Sequence, residues 1–340
     1  MSAASDRHDR PRNGEITDTG LDLVTGAFSY SGSAIAAALI ASGRHVRTVT
    51  GHPERRGRGS PIDVRPFNFD DRAGLVSALQ GTTTLYNTYW VRFAHDLTNH
   101  DQAVENSRIL FRAAREAGVR RIVHVSITHP SADSPFPYFR GKALVERFLV
   151  EGEVPYAILR PAILFGGDGV LLNNIAWLMR RLPVFAVGGR GDYRVRGIHV
   201  DDLARLCVEK GAERGDSVSD AVGPERPTFL ELVTAIRDLV GSRARIVHVP
   251  GATVPLFARL LGVALHDVLL TRDEYRAMAA GLADTDGPAT GSTALSDWLA
   301  ANASVLGIRY ANELDRHYSN EKVRVDRSTS IGSRPGTSKR

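Results

Sequence analysis

Short apolar runs alternate with amphipathic stretches about a dozen residues long over the first half of the chain. Residues 21–24 are a short apolar strand, and 31–42 a helix rich in Ala, Ile and Leu that Gly43 stops. Residues 45–50 alternate β-branched and polar side chains, 63–66 repeat this more weakly, and 72–79 are helical up to Gly81. The pattern continues with a strand at 83–87, a helix at 101–117 closed by Gly118, a strand at 121–126, a helix at 138–149 and a strand at 156–160 halted by Pro161. Six strands separated by helices predict a doubly wound parallel sheet, because parallel neighbours need crossover helices. A ligand then belongs beyond the carboxyl ends of the strands.

After Pro161 the alternation decays. A helix near 173–181 and strands near 184–187 and 195–200 are followed by helices at 201–211, 228–240 and 254–270. The reading is an α/β chain: a sheet domain over 20–165, to which 195–211 returns, and a smaller α+β lid over 166–194 and 212–318. Residues 1–19 and 319–340 are polar, rich in Ser, Gly, Pro and Arg, and lack any hydrophobic period, so they are expected to be a disordered leader and tail.

The first strand runs into Val24-Thr25-Gly26-Ala27-Phe28-Ser29-Tyr30-Ser31-Gly32-Ser33, where a helix opens. Such a turn aims helix N-terminal amides and the positive end of the helix dipole at a pyrophosphate. Gly26 permits the tight turn and Gly32 close packing of helix on strand, while Ser29 occupies the middle glycine position of the dinucleotide fingerprint. The second strand ends at Thr50 with no acid before Glu54, and Arg55, Arg56 and Arg58 follow, which favours NADP over NAD. The fifth strand leads to Ser126-Ile127-Thr128 and then to Tyr138-Phe139-Arg140-Gly141-Lys142 at the mouth of a helix. Tyr138 and Lys142, four apart, share one helix face, where an ammonium would lower the phenol's pKa towards the range of a proton carrier. Lysine is rare here, at only four positions, so its use beside Tyr138 is informative. A hydroxyl at Ser126 or Thr128 is the candidate holder of a substrate oxygen.

With Arg160-Pro161-Ala162-Ile163-Leu164-Phe165-Gly166 and His199-Val200-Asp201-Asp202-Leu203 added, residues 20–318 resemble the extended and atypical short-chain dehydrogenase/reductase superfamily. The nearest likeness is to its NmrA-like and complex I 39-kDa-subunit-like branch, related to epimerases and dehydratases. The resemblance implies a Rossmann domain and a smaller lid. It places Gly26, Phe28, Ser29, Tyr30 and Gly32 at the cofactor phosphates, Thr50 at the end of the second strand, Asn68 and Phe69 beside adenine, and Asn87 and Thr88 near ribose. It further implies Pro161 and Ile163 at the nicotinamide end, Tyr138 as catalytic acid/base, and Lys142 as its partner and a donor to ribose hydroxyls. Ser126 and Thr128 stay alternatives for the upstream hydroxyl. The expected function is hydride transfer between NAD(P) and a small carbonyl or hydroxyl substrate. The alternative is a non-catalytic cofactor sensor or assembly protein; a third reading, a nucleotide-sugar epimerase, would need a diphosphate site near Arg194 and Arg196.

Composition narrows the field. Net charge is +5, but 321–340 carries six basic and two acidic residues, which leaves the body too weakly charged for a nucleic-acid footprint. One cysteine, Cys207, excludes an internal disulfide framework and fits a reducing compartment, so a cytoplasmic protein is expected. The most apolar stretch, 254–270, is broken by Arg259, His266 and Asp267, so no transmembrane segment is expected, and the N-terminus lacks the apolar core of a secretory signal. No His-Glu-x-x-His, paired-cysteine or Gly-x-Ser-x-Gly pattern occurs, and His95 and His100 fall in an expected loop, which argues against metal and serine-hydrolase chemistry. Trp177 is expected in the lid core, Asp201-Asp202 as a helix cap and first-turn acid, and Glu225 as a turn residue. Members of the superfamily often dimerise through paired helices, so a homodimer is a candidate assembly.

Overall fold

The computed structural model describes residues 20–312 and 314, apart from 52, 58, 94–98 and 168. The expected leader at 1–19 and tail at 319–340, together with Arg58 and His95, lie outside the described residues. The chain opens with β1 (Leu21–Thr25), α1 (Tyr30–Ala41), β2 (His45–Thr50), β3 (Asp63–Pro66), α2 (Arg72–Leu79) and β4 (Thr84–Asn87). It continues with α3 (His100–Glu116), β5 (Arg121–Val125), α4 (Pro137–Val150), β6 (Tyr156–Pro161), β7 (Ile163–Phe165) and α5 (Val170–Arg181). The remaining elements are β8 (Val184–Gly188), β9 (Gly197–His199), α6 (Val200–Ala212), β10 (Ser217–Ala221), α7 (Phe229–Leu239), β11 (Arg245–Val249), α8 (Val254–Leu265), α9 (Arg272–Ala279) and α10 (Leu295–Asn302).

Seven strands form one parallel sheet in the order β10-β6-β5-β4-β1-β2-β3. The chain starts at β1, moves outward through β2 and β3, then returns to β4 on the other side of β1. The carboxyl ends of β1 and β4 therefore flank a topological switch point, where the crossover loops part and leave a crevice. Apolar clusters cover both faces. Ile35, Ala36 and Leu39 of α1 pack with Leu203 and Cys207 of α6 on one side, and Leu110 and Phe111 of α3 with Val145 and Leu149 of α4 on the other.

The return to the sheet differs from the expectation. The segment 195–211 does fold back, as α6 against α1, but its strand β9 pairs with β7 in a separate two-stranded ladder. The strand that completes the main sheet is β10, beside β6, although its residues were assigned to the lid. Its sequence, SVSDA, is too polar to announce a strand, and it forms because β6 offers an open parallel edge. The helix cap is His199, which accepts from the Asp201 amide, while Asp202 accepts the amides of Ser292 and Thr293 and pins a lid segment to α6. Glu225 binds the amide and hydroxyl of Ser296 at the start of α10.

The lid has its own core, in which Phe165, Leu172, Ile175 and Met179 meet Leu232, Val233 and Ile236 of α7 and Leu299 of α10. A second two-stranded parallel ladder joins β8 to β11. The helix expected to run to residue 270 ends at Leu265, because His266 adopts a left-handed φ of 52° and the Asp267 amide bonds back to Gly262. Trp177 is half-buried and lies outside the lid core where it was expected, meeting Tyr310 edge-on with Arg181 over its ring.

Candidate active site

The turn after β1 is built for a close approach. Gly26 has φ +63°, a conformation that L side chains rarely adopt, and its amide donates to Val49 of β2. The Ala27 amide donates to Thr48 Oγ1 at 3.0 Å, which fixes the loop to the sheet. A Cβ on Gly32 would lie well inside contact distance of the Gly26 carbonyl, so only glycine lets α1 sit this near the turn. Ser29 is the N-cap of α1 but makes no side-chain cap bond, and the first turn carries no acid. These first-turn amides, with the dipole behind them, fit a diphosphate. Gly26, Ser29, Tyr30 and Ser31 line the crevice; Gly32 sits behind them, and Phe28 packs against the core below the loop. Phe28 was expected at the phosphates, and the side chain points elsewhere because the apolar ring finds a partner in the core.

The ends of β1 and β4 are laced together. Thr25 Oγ1 donates to Asn87 Oδ1 at 3.2 Å and accepts from the amides of Thr88 and Tyr89, and Thr88 Oγ1 donates to the Thr25 carbonyl at 2.6 Å. Thr88 lines the crevice. Asn87 does not: it is fully buried, its amide set against His124 Nδ1 at 3.0 Å, so the expected ribose contact is replaced by a strand-end brace. Thr50 lines the crevice, as do Val49 and Gly51. Beside it Phe67, which the sequence reading passed over, lines the wall where Asn68 and Phe69 were expected. Asn68 instead turns its carbonyl to the Asp70 amide, and Phe69 packs at a tilt against Phe67 and Tyr89. Of the arginines considered for a 2′-phosphate, neither Arg55 nor Arg56 lines the crevice, and Arg56 donates to the Ser60 carbonyl.

Tyr138 and Lys142 stand on one face of α4, yet Trp90 comes between them. The Lys142 ammonium lies 4.7 Å over the Trp90 ring, and the Tyr138 ring meets the same indole edge-on at a centroid distance of 5.8 Å. Gly141 makes room for this, since a Cβ there would press into the indole. Lys142 is 3 % exposed, donates to the Val125 carbonyl at 2.8 Å, and does not line the crevice. Burial lowers its pKa from 10.5 to about 7, against the opposing charge of Glu146. Tyr138 does line the crevice, but its pKa is raised, chiefly by burial and then by the charge of Glu274, with Arg92 acting in the other direction. The expected lowering by Lys142 is therefore corrected: the charges felt by the phenol are the Arg92–Glu274 pair, joined at 2.7 Å. His100, the first residue of α3 and not a loop residue, meets both Tyr138 and Trp90 by ring contacts, and its Nε2 has no hydrogen-bond partner. Burial lowers its pKa below the usual imidazole value.

The two candidate hydroxyls upstream fall on the wrong side. Ser126 and Thr128 share a side of the chain, as expected from their spacing, but that side faces inward and Ile127 is the residue that lines the crevice. Thr128 Oγ1 donates to the Leu282 carbonyl, and buried Ser126 Oγ has no partner. After β6, Ile163 lines the crevice together with Ala162 and Leu164, whereas Pro161 is buried and accepts from the Thr128 amide. Tyr30 closes the span between loop and lid by donating to the Gly166 carbonyl at 2.7 Å. The diphosphate role considered for Arg194 and Arg196 is excluded by their partners. Arg196 donates to the carbonyls of Gly223, Thr285 and Gly287, Arg194 to that of Arg226, and neither lines the crevice.

The crevice is one cavity of about 1480 Å³ that runs from Gly26 past Tyr138 into the lid. No cluster of His, Cys, Asp and Glu able to hold a metal occurs among the described residues, and none of their helices is long and apolar enough to cross a membrane.

Comparison with known proteins agrees with this architecture. Residues 26–176 match a family described as NAD(P)H-binding. The chain carries an NAD(P)H-binding domain. The branch resembled by the motifs is represented among its relatives by the NADH dehydrogenase [ubiquinone] 1 alpha subcomplex subunit 9 of Arabidopsis thaliana, 25% identical over 55% of this chain; the match spans only about half, 48%, of that protein. A 4-hydroxy-2-methyl-3-oxo-4-farnesyl-3,4-dihydroquinoline-1-oxide ketoreductase from Stigmatella aurantiaca is 25% identical over 67% of the chain and 75% of its own length. An NADPH-dependent quinone oxidoreductase from Escherichia coli, solved with NADPH, superposes with a TM-score of 0.68 over 84% of this chain and 98% of its own, at 21% identity, a likeness of fold.

Proposed function

We propose that the protein is an NAD(P)H-dependent reductase of an apolar carbonyl compound, in which Tyr138 donates the proton. The observation that carries this reading is that the phenol and the glycine-loop amides open into one continuous cavity, with the phenol kept protonated. Gly26, Ser29, Tyr30 and Ser31 would hold the cofactor's phosphates, and Thr88 and Ile163 would border its ribose and nicotinamide. Held there, the cofactor would supply the hydride for the carbonyl carbon. Tyr138 hydrogen-bonds to the carbonyl oxygen and delivers its proton as negative charge develops there, and Arg92 is the cation placed to steady the resulting phenolate. Reduction draws on the acid form of the phenol, which predominates at neutral pH, while the raised pKa weakens it as a proton donor. The curated relative named for ketoreduction of a farnesyl-bearing substrate supports the same direction. NADP is preferred to NAD because the end of β2 offers no acid among the described residues to meet ribose hydroxyls.

The test is NADPH oxidation over a panel of ketones and quinones by wild type and Tyr138→Phe. The variant should keep NADPH affinity and lose on the order of 10²–10⁴ in kcat; equal turnover would remove Tyr138 from the mechanism. A second reading, a cofactor-binding sensor, is favoured by one observation: Lys142 is shut behind Trp90 and both candidate hydroxyls face away from the cavity. It predicts NADPH binding with no turnover on any member of the panel.

A further inference from the structure

The geometry points to a substrate with a long unbranched or isoprenoid apolar tail, whose carbonyl head meets Tyr138 and whose tail fills the lid half of the cavity against α8. This rests on the reductase reading of the same site and specifies its substrate class.

Space comes first. Small-molecule sites usually enclose roughly 300–1,000 Å³, and this cavity, at about 1480 Å³, leaves room beyond a cofactor and a small carbonyl. Its wall chemistry changes along its length. Near Tyr138 stand Arg92, His100 and Glu274, and farther in the walls are supplied by Leu178, Phe185, Val247, Leu261, Leu270 and Met278. A polar head and an apolar body would each meet matching surroundings.

The state of α8 is the second observation. Its sequence, VPLFARLLGVAL, is apolar on nearly every face, yet Gly262 is its only buried residue. An all-round apolar helix normally lies inside a core. Here Phe257 and Leu260 line the cavity and are still 48% and 60% exposed, and across the gap Val184 and Val247 line it at 42% and 36%. Exposed large apolar side chains thus converge on the cavity from α8, β8 and β11. A tail lying between them would cover the part of this surface that the contacts of α8 with α9 and β8 leave open. A nucleotide sugar or other polar body would leave it uncovered and would strand its own hydroxyls against leucines.

The test uses a homologous series of 2-alkanones from four to sixteen carbons, with the full chain. Binding is read by displacement of a fluorescent long-chain fatty-acid probe, with and without NADPH, and KM by NADPH oxidation. The dissociation constant should tighten about three- to fourfold per added methylene until the chamber is filled. Leu260→Arg, at a position exposed enough to accept the charge, should weaken binding of the longest ketones at least tenfold, a loss that grows with chain length. Phe257→Ala provides a second, milder variant that should act in the same direction. NADPH binding with affinities that stay flat along the series would overturn the tail proposal alone. Chain-length-dependent displacement without any NADPH binding would support the tail and overturn the reductase reading instead.

Discussion

Replacing Lys142 by methionine removes a buried ammonium while keeping most of its length, and the structure fixes how that change depends on pH. In the folded chain the lysine's pKa is about 7 because burial disfavours the charged form; in the unfolded chain it returns to 10.5. The folded value is the lower one, so between about pH 7 and 10.5 the unfolded chain binds more protons and stability rises with pH. At about 1.4 kcal/mol per pH decade, the burden of this group reaches on the order of 5 kcal/mol below pH 7 and vanishes above 10.5. Against this, the variant loses the bond to the Val125 carbonyl, worth about 1 kcal/mol; the cation–π contact with the Trp90 ring, worth about 0.5–2 kcal/mol, counts only while the amine is charged, below about pH 7. Wild type should therefore be the less stable protein near pH 6, by a margin that closes towards zero near pH 10. Urea unfolding of both proteins across pH 6–10, followed by circular dichroism, reads this as a difference that shrinks as pH rises. Parallel profiles would refute the placement of Lys142 behind the indole.

Two further substitutions separate a cleft role from a packing role. Ser126→Ala should leave turnover within twofold and keep or raise stability by up to about 1–2 kcal/mol, because its buried hydroxyl has no partner to lose; a hundredfold fall in kcat would put that hydroxyl on the substrate after all. Gly32→Ala forces a Cβ onto the Gly26 carbonyl, so calorimetric NADPH affinity should drop at least tenfold even where circular dichroism shows the sheet intact, and unchanged affinity would mean that the loop is not the phosphate site.

The parts of this molecule that follow from local pattern were legible in the sequence. The four helical crossovers α1 to α4, and the glycine turn whose Gly26 and Gly32 have steric reasons to be glycine, came from periodicity and position alone. The capping boxes Thr228/Glu231 and Thr271/Glu274 were equally local, and the second of them could have announced α9. Other features depend on what packs opposite. β10 is a strand only because β6 has a free edge. The shared side of Ser126 and Thr128 was evident from their spacing, but which side faces the crevice is set by the fold, and Ile127 is the residue that faces it. The partnership of Tyr138 with Lys142 was read from helical spacing. It is interrupted by Trp90, whose position depends on the turn after β4 and on the absence of a side chain at Gly141. Arg92 and Glu274, from segments 182 residues apart, form a pair that no motif could have disclosed.

A crystal structure of the protein with NADP and an unreactive long-chain ketone analogue is the most direct trial of the account. It should show the diphosphate on the amides at Gly26–Ser31 and the Tyr138 hydroxyl within about 3 Å of the analogue's oxygen, with the tail running towards α8. A cofactor seated elsewhere, or a phenol turned away from the oxygen and towards Glu274, would contradict it.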